Sequence, residues 1–275
     1  MKQADAPKPV TIPDLAAWKR AGRRFSVLTA YDYPMARMFD QANVDILLVG
    51  DSLGTVVQGR ETTLGVTLEQ MLYHAEMVGR AAGRALVVAD MPFGSYHASS
   101  AQAVENAARF LKETSCQAVK LEGGRTQAAT IRAVVDAQIP VFGHVGLTPQ
   151  SVRRLGGFKV QRDAAVILED ARAVEEAGAT AIVLECIPPS VAAKVTAELS
   201  IPTIGIGAGP DCDAQVLVAH DMLGLFDAFS PRFVRRYAEV GESMREAAQR
   251  YVADVAAGRF PTLDEAFGDG APRPE

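Results

Sequence analysis

The chain has 275 residues, 48% hydrophobic and 22% charged, with 28 Lys+Arg against 33 Asp+Glu and a formal net charge of −5. That apolar fraction supports a sizeable core and excludes wholesale disorder, while the mild acidity argues against general nucleic-acid binding, which needs a basic surface. No apolar run approaches the ~20 residues of a membrane-spanning helix, the opening MKQADAPKPVTIPDL lacks a secretory apolar segment, and three scattered cysteines (Cys116, Cys186, Cys212) form neither a disulfide framework nor a metal knot, so a reducing, cytoplasmic setting is expected.

Residues 1–11 read as an N-terminal tail. Ile12–Gly22 reads as a short helix, with Leu15 and Trp18 three apart, suited to plugging the N-terminal end of a barrel. Apolar runs of strand length follow: Phe25–Ala30, Val44–Val49, Ala85–Ala89, Gln117–Leu121, Pro140–His144, Thr180–Leu184, Pro202–Ile206 and Gln215–Ala219. Each has the length and Val/Ile/Leu content of a buried parallel strand. Between them lie helical patterns at Thr67–Ala82, Ser99–Glu113, Asp163–Ala177, Pro188–Leu199 and Arg232–Tyr237. Asp163 is a good N-cap and Gly178 a good stop. Gly241–Ala257 reads as an amphipathic C-terminal helix packed outside the barrel, and residues 268–275 as a disordered tail. Eight strands alternating with helices predict an α/β fold, a single closed (β/α)8 TIM barrel over residues 12–267.

Barrel active sites sit at the C-terminal ends of the strands, so the residue closing each run matters. The second run ends in Gly50, Asp51 and Ser52, and the third in Asp90. The fourth contains Lys120 and ends at Glu122. The fifth ends at His144 and the sixth at Glu185. Five consecutive runs thus deliver ionisable groups to one rim, where each carboxylate needs a cation, a proton or a donor. Asp51 and Asp90 read as oxygen ligands of a hard cation such as Mg²⁺, or as two helix N-caps. Glu122 reads as an outer ligand, or as a loop ion-pair partner of Lys120 or Arg125. Lys120 and Glu122 are two apart in an extended run and face the same way. Lys120 reads as a substrate-carboxylate contact, a structural ion pair, or the nucleophile of a Schiff-base barrel. His144 reads as a substrate contact, a proton carrier or a structural histidine. Glu185, in apolar company, reads as a general base of raised basicity, or as an ion pair. Cys186 reads as packing. Gly205–Gly209 reads as a tight turn or a phosphate loop, without the GxGxxG spacing.

At these strings the sequence resembles the ketopantoate hydroxymethyltransferase family: LTAYDYPMA (Leu28–Ala36), VGDSLGTVVQG (Val49–Gly59), ADMPFGSY (Ala89–Tyr96), AVKLEGG (Ala118–Gly124), GHVGLTPQSV (Gly143–Val152), VLECIP (Val183–Pro188) and IGIGAGPDCDAQVLVAHDMLG (Ile204–Gly224). The resemblance implies a Mg²⁺-dependent (β/α)8 barrel that transfers a one-carbon unit from 5,10-methylenetetrahydrofolate to 3-methyl-2-oxobutanoate. Asp51 and Asp90 are then the Mg²⁺ ligands, with Glu122 also at the metal. Ser52, Asp51, Asp90, Lys120 and His144 contact the keto acid, and Glu185 is the proton acceptor. The resemblance also implies a homodecamer and no nucleic-acid or membrane partner. The chain departs from the family after Gln161, which runs straight into Arg162 and Asp163 where the family has a longer loop. Two other readings remain at this stage: a Mg²⁺-dependent keto-acid lyase or mutase of the phosphoenolpyruvate mutase and isocitrate lyase type, whose lyases use a loop cysteine, and a non-catalytic barrel scaffold.

Overall fold

A computed structural model describes residues 8–226 and 231–267. By its internal contacts the chain divides into two compact units, Met1–Ala219 and His220–Glu275. The elements of the first follow the chain as α1 (Ile12–Arg20), β1 (Phe25–Thr29), α2 (Tyr33–Gln41), β2 (Ile46–Val49), α3 (Leu53–Val56), α4 (Leu68–Ala81), β3 (Leu86–Asp90), α5 (Ser100–Glu113), β4 (Ala118–Lys120), α6 (Ala128–Asp136), β5 (Val141–Gly146), α7 (Val152–Leu155), α8 (Ala164–Glu176), β6 (Ala181–Glu185), α9 (Pro189–Glu198), β7 (Thr203–Ile206) and β8 (Ala214–Leu217). The eight strands are parallel and pair in chain order, with β8 returning to β1 to close the barrel.

Alternation within the strands builds the barrel interior. Val27, Ile46, Leu48, Leu86, Val88, Ala118, Phe142, Ala181, Val183, Ile204 and Val216 pack as one buried cluster. Each strand contributes every second residue, as a pleated strand must. The plug expected from Leu15 and Trp18 is present: Leu15 is fully buried in this cluster, with Ile12 and Trp18 packed against it. Val10 is buried in the same cluster, and its N–H donates to the Arg84 carbonyl at 2.8 Å.

The helices start where short polar side chains take up free N–H groups. Asp32, Thr67, Ser99 and Asp163 accept from Met35, Gln70, Gln102 and Ala165 respectively. Apart from the four-residue helices, two helices lie outside the sequence expectation. α2 has Pro34 in its first turn and buries only Ala36 and Phe39, and α6 buries only Ile131 and Val134, so their apolar stripes are too sparse to read as periodic. The last strand begins one residue earlier than expected and stops at Leu217, because Ala219 opens a helical turn.

The short helix α10 (Ala219–Met222) falls at the division, and in the second unit α11 (Val240–Ala256) matches the amphipathic pattern. Arg232–Tyr237, expected as a helix, forms a turn followed by irregular chain. Pro231 sits directly before the segment, and six residues are too few to hold a helix without tertiary packing. The expected tail at 268–275 lies outside the described residues.

Candidate active site

The interior face changes character in its uppermost layer. Along β3 the inward residues are Leu86, Val88 and then Asp90. Along β4 they are Ala118 and Lys120, with Glu122 next beyond the strand. Along β5 they are Phe142 and His144, and along β6 Ala181, Val183 and Glu185. Lys120 and Glu122 therefore do share a face, as their spacing required. Asp90 is the register partner of Lys120, and the chain after Glu122 bridges back to His144 at Gly123. Asp90, Lys120, His144 and Glu185 are thus set by strand register, whereas Glu122 and Asp51 stand just beyond their strands.

Asp51 enters from the turn after β2. Gly50 carries no Cβ there, and one would sit 2.9 Å from Ser52 Oγ and 3.6 Å from Asp90 Oδ2. The Asp51 N–H donates to Asp90 Oδ2 at 3.0 Å. Gly146, at φ +96°, closes β5 against β6, where a Cβ would meet the Glu185 carbonyl at 2.3 Å. Only glycine permits that approach.

The contacts form one network. Lys120 Nζ lies 2.9 Å from Asp90 Oδ1 and 3.3 Å from His144 Nδ1. His144 Nε2 faces Glu185 Oε2 at 3.2 Å, and its Nδ1 lies 3.7 Å from Glu122 Oε1. Ser52 Oγ and Tyr31 OH share a hydrogen bond of 2.7 Å. Asp51, Asp90, Lys120, Glu122 and His144 are all buried. Glu185 is only half-buried and stands against an imidazole. That corrects the expectation of a dry, apolar surround, because the residues flanking it in sequence point away from the face it shares with His144.

Two further residues tie the site together and were not anticipated. Gln150, buried in the short turn Pro149–Ser151, donates from Nε2 to Asp51 Oδ2 at 2.8 Å and to the Met91 carbonyl at 3.0 Å. Its backbone N–H donates to Glu122 Oε2 at 3.0 Å. Tyr96 donates its hydroxyl proton to Gln150 Oε1 at 2.6 Å, and its oxygen accepts from the Glu122 N–H at 3.2 Å. Neither follows an apolar run, so the strand-end rule passes over them. The signal available was their place within the strings GHVGLTPQSV and ADMPFGSY.

The charge balance is lopsided. Burial pushes the Asp51 carboxyl up to about 7, and the nearby Asp90 charge adds to the shift. Burial, with Asp51 beside it, raises Glu122 well above the carboxylate range. Burial acts to lower Lys120, but Asp90, Glu122 and Asp51 outweigh it and hold the ammonium protonated. Lys120 Nζ is engaged by Asp90 and His144, an arrangement that suits a fixed cation better than a free amine nucleophile. The cluster is short of positive charge.

A divalent cation fits that shortage. Asp90 Oδ1 is buried and receives no aligned hydrogen bond, although Lys120 is close. The donors offered are all carboxylate oxygens, the set preferred by Mg²⁺. Among the described residues, no three His, Cys, Asp or Glu side chains converge as a ready metal cage. Asp51 and Asp90 alone would leave positions open for water and substrate oxygens, as Mg²⁺ commonly requires.

A family model described as ketopantoate hydroxymethyltransferase matches residues 9–263. The 3-methyl-2-oxobutanoate hydroxymethyltransferase of Pelobacter propionicus is 54% identical over 267 residues, covering 96% of this chain and 99% of the relative. That of Trichlorobacter lovleyi is 56% identical over 263 residues, covering 94% and 99%. Among solved structures, a 2,3-dimethylmalate lyase of the PEP mutase/isocitrate lyase superfamily aligns with TM-score 0.64 at 20% identity, over 95% of this chain and 90% of that one. A phosphonopyruvate hydrolase solved with oxalate and Mg²⁺ aligns with TM-score 0.62 at 12% identity, over 93% of each. At such identities the structural likeness speaks for a shared barrel and not for shared chemistry.

Proposed function

This chain belongs to the ketopantoate hydroxymethyltransferase family and is an enzyme of that class; from this premise we propose that it transfers the one-carbon unit of 5,10-methylenetetrahydrofolate to 3-methyl-2-oxobutanoate, forming 2-dehydropantoate. The observation that carries the reading is the joint placement of a half-buried carboxylate, Glu185, beside a buried, acid-rich cluster with a fixed lysine. The first group can take a proton. The second can hold a cation and a small keto acid. The scaffold reading falls with the family membership. The lyase reading has only the shared barrel in its favour, against relatives at 51–56% identity that carry the transferase name.

Asp51 and Asp90 would hold Mg²⁺, with Glu122 beside it. When bound there, Mg²⁺ supplies Lewis-acid stabilisation of the negative charge that builds on the keto acid as C3 loses its proton. Lys120 has donors only, so His144 Nδ1 accepts from it and Nε2 carries the imidazole proton. That nitrogen lies 3.2 Å from Glu185 Oε2 without an aligned hydrogen bond to it. Lys120 and Ser52 also serve as contacts for the substrate carboxylate. Glu185 removes the C3 proton, and the resulting carbanion forms a bond to the methylene carbon of the donor. The balance needs one water: the methylene carbon leaves the folate nitrogens, and the water's oxygen becomes the product hydroxyl. Direct attack on an iminium alone would leave a carbon–nitrogen bond that the product lacks.

A homodecamer and a cytoplasmic setting belong to the same reading. In support of self-association, α11 and the residues after it expose Met244, Tyr251, Val252 and Leu263. Supply of donor labelled with ¹³C at the methylene carbon tests the chemistry. The label should appear in the hydroxymethyl carbon of the product by mass spectrometry. A folded protein that forms no labelled product from both substrates with Mg²⁺ contradicts the proposal.

A further inference from the structure

The Gln150 side chain is buried with both amide hydrogens and its oxygen engaged. One Nε2 hydrogen goes to Asp51 Oδ2 at 2.8 Å and the other to the Met91 carbonyl at 3.0 Å. A main-chain carbonyl can only accept, so the Met91 contact fixes which end of the amide is nitrogen. Oε1 then accepts from the Tyr96 hydroxyl at 2.6 Å, and Tyr96 is buried as well. The amide is therefore locked in one orientation.

Its partners are the segments that carry the carboxylates. Asp51 follows β2, and Met91 directly follows Asp90, the last residue of β3. One NH₂ group thus ties Asp51 to the chain that presents Asp90. The Asp51 N–H donates to Asp90 Oδ2 at 3.0 Å, so the two acids are joined twice, once by main chain and once by way of the amide. The Met91 N–H donates to the Lys120 carbonyl at 2.8 Å, which latches β4 to the same point. The Gln150 main-chain N–H holds Glu122 Oε2 at 3.0 Å, and the Tyr96 oxygen accepts from the Glu122 N–H at 3.2 Å. A carboxylate free to rotate must be ordered when a cation binds, and one already held need not be. Groups that orient a metal's ligands typically contribute roughly 10–100-fold to its affinity.

We propose that Gln150, braced by Tyr96, is a positioning residue of the cation site: its amide sets the direction of the Asp51 carboxylate and the spacing of Asp51 and Asp90, and so governs the affinity for Mg²⁺. It acts through Asp51 and not on the keto acid. The inference rests on the reading of Asp51 and Asp90 as cation ligands and adds the residue that arranges them. A glutamine kept only to satisfy its buried neighbours would lower stability when lost and leave the Mg²⁺ affinity of the folded chain unmoved.

The test titrates Mg²⁺ into the full chain by calorimetry, records the metal-free melting temperature, and follows C3 exchange of 3-methyl-2-oxobutanoate against Mg²⁺ concentration. Gln150→Met keeps the side-chain bulk and the main-chain bond to Glu122 but removes the amide. Its Kd for Mg²⁺ should rise roughly 10–100-fold. The Mg²⁺ concentration for half-maximal exchange should rise with it, while exchange at saturating Mg²⁺ stays within about three-fold of wild type. Tyr96→Phe leaves the amide in place without its brace and should weaken Mg²⁺ by about three- to ten-fold. Added to Gln150→Met, it should cost no more than about two-fold further, because it acts through the amide. Wild-type Mg²⁺ affinity in folded Gln150→Met overturns the proposal, whatever the melting temperature. Losses that add in full in the double variant overturn the brace. Should Gln150→Met not fold, Tyr96→Phe decides alone, and unchanged Mg²⁺ affinity in it overturns the proposal. A wild-type chain that binds no Mg²⁺ overturns the cation reading itself, a result distinct from all of these.

Discussion

At the N-terminal end of the barrel, Asp45 and Asp213 are each paired with cations and backbone N–H groups. Asp45 is bound by Arg23 at 3.0 Å, by Arg84 at 2.8 Å and by the Ser26 N–H at 3.0 Å. Asp213 takes Lys19 at 2.8 Å and the Thr203 N–H at 2.8 Å. At the C-terminal end, Asp51, Asp90 and Glu122 are buried around Lys120, the one buried lysine or arginine among the described residues. The two ends are made by the same strands. The lower end uses carboxylates to tie loops and the α1 plug together. The upper end keeps carboxylates in excess, at a cost in stability, and that excess is what the proposed cation and proton transfer would use.

Substitutions at the two ends should separate these roles. The largest effect is expected at the base. Glu185→Gln should lower the rate of transfer by roughly 10²–10⁴-fold, the usual contribution of a positioned general base. Keto-acid and Mg²⁺ binding by calorimetry should stay near wild type. Equal losses of binding and rate would mean that Glu185 holds the substrate and does not move its proton. Asp45→Ala should act in the opposite sense. Loss of a buried carboxylate with two arginine partners should cost about 2–3 kcal/mol in urea unfolding, with activity per folded molecule retained. The smallest effect is expected from Asp51→Asn in metal-free protein. It removes a charge that burial and Asp90 both oppose, so stability should hold or rise by up to ~1 kcal/mol. Addition of Mg²⁺ to wild type should raise the melting temperature, by an amount corresponding to about 2.7 kcal/mol at 100 times Kd. The same addition should leave Asp51→Asn nearly unmoved, and a clear destabilisation of its metal-free form would place Asp51 among the structural carboxylates.

Strand alternation made most of this end legible beforehand. Once Val88, Ala118, Phe142 and Val183 point inward, the residues two further on must do the same, and those are Asp90, Lys120, His144 and Glu185. Strand ends shifted by a residue or two without consequence, because parity and not length selects the face. Gln150 and Tyr96 escaped this rule. They reach the site from turns, where no period links a residue to a direction. The surround of Glu185 differs from its sequence company because neighbours in a strand point to opposite faces: Leu184 is apolar, but the group that meets the carboxylate is His144, from the neighbouring strand β5. The short helices α2 and α6 do not show a full apolar stripe, and Arg232–Tyr237 reads as helical from its spacing although six residues are too few to hold a helix without packing.

The central claim, that the acid-rich rim is a proton-abstraction site completed by a cation, is tested most directly by C3 hydrogen exchange of 3-methyl-2-oxobutanoate in D₂O without folate. Proton NMR of the wild-type chain should show the C3 signal disappearing when Mg²⁺ is present and persisting when the metal is chelated. Exchange that proceeds equally without a divalent cation, or a signal that persists with Mg²⁺ bound, would contradict the account.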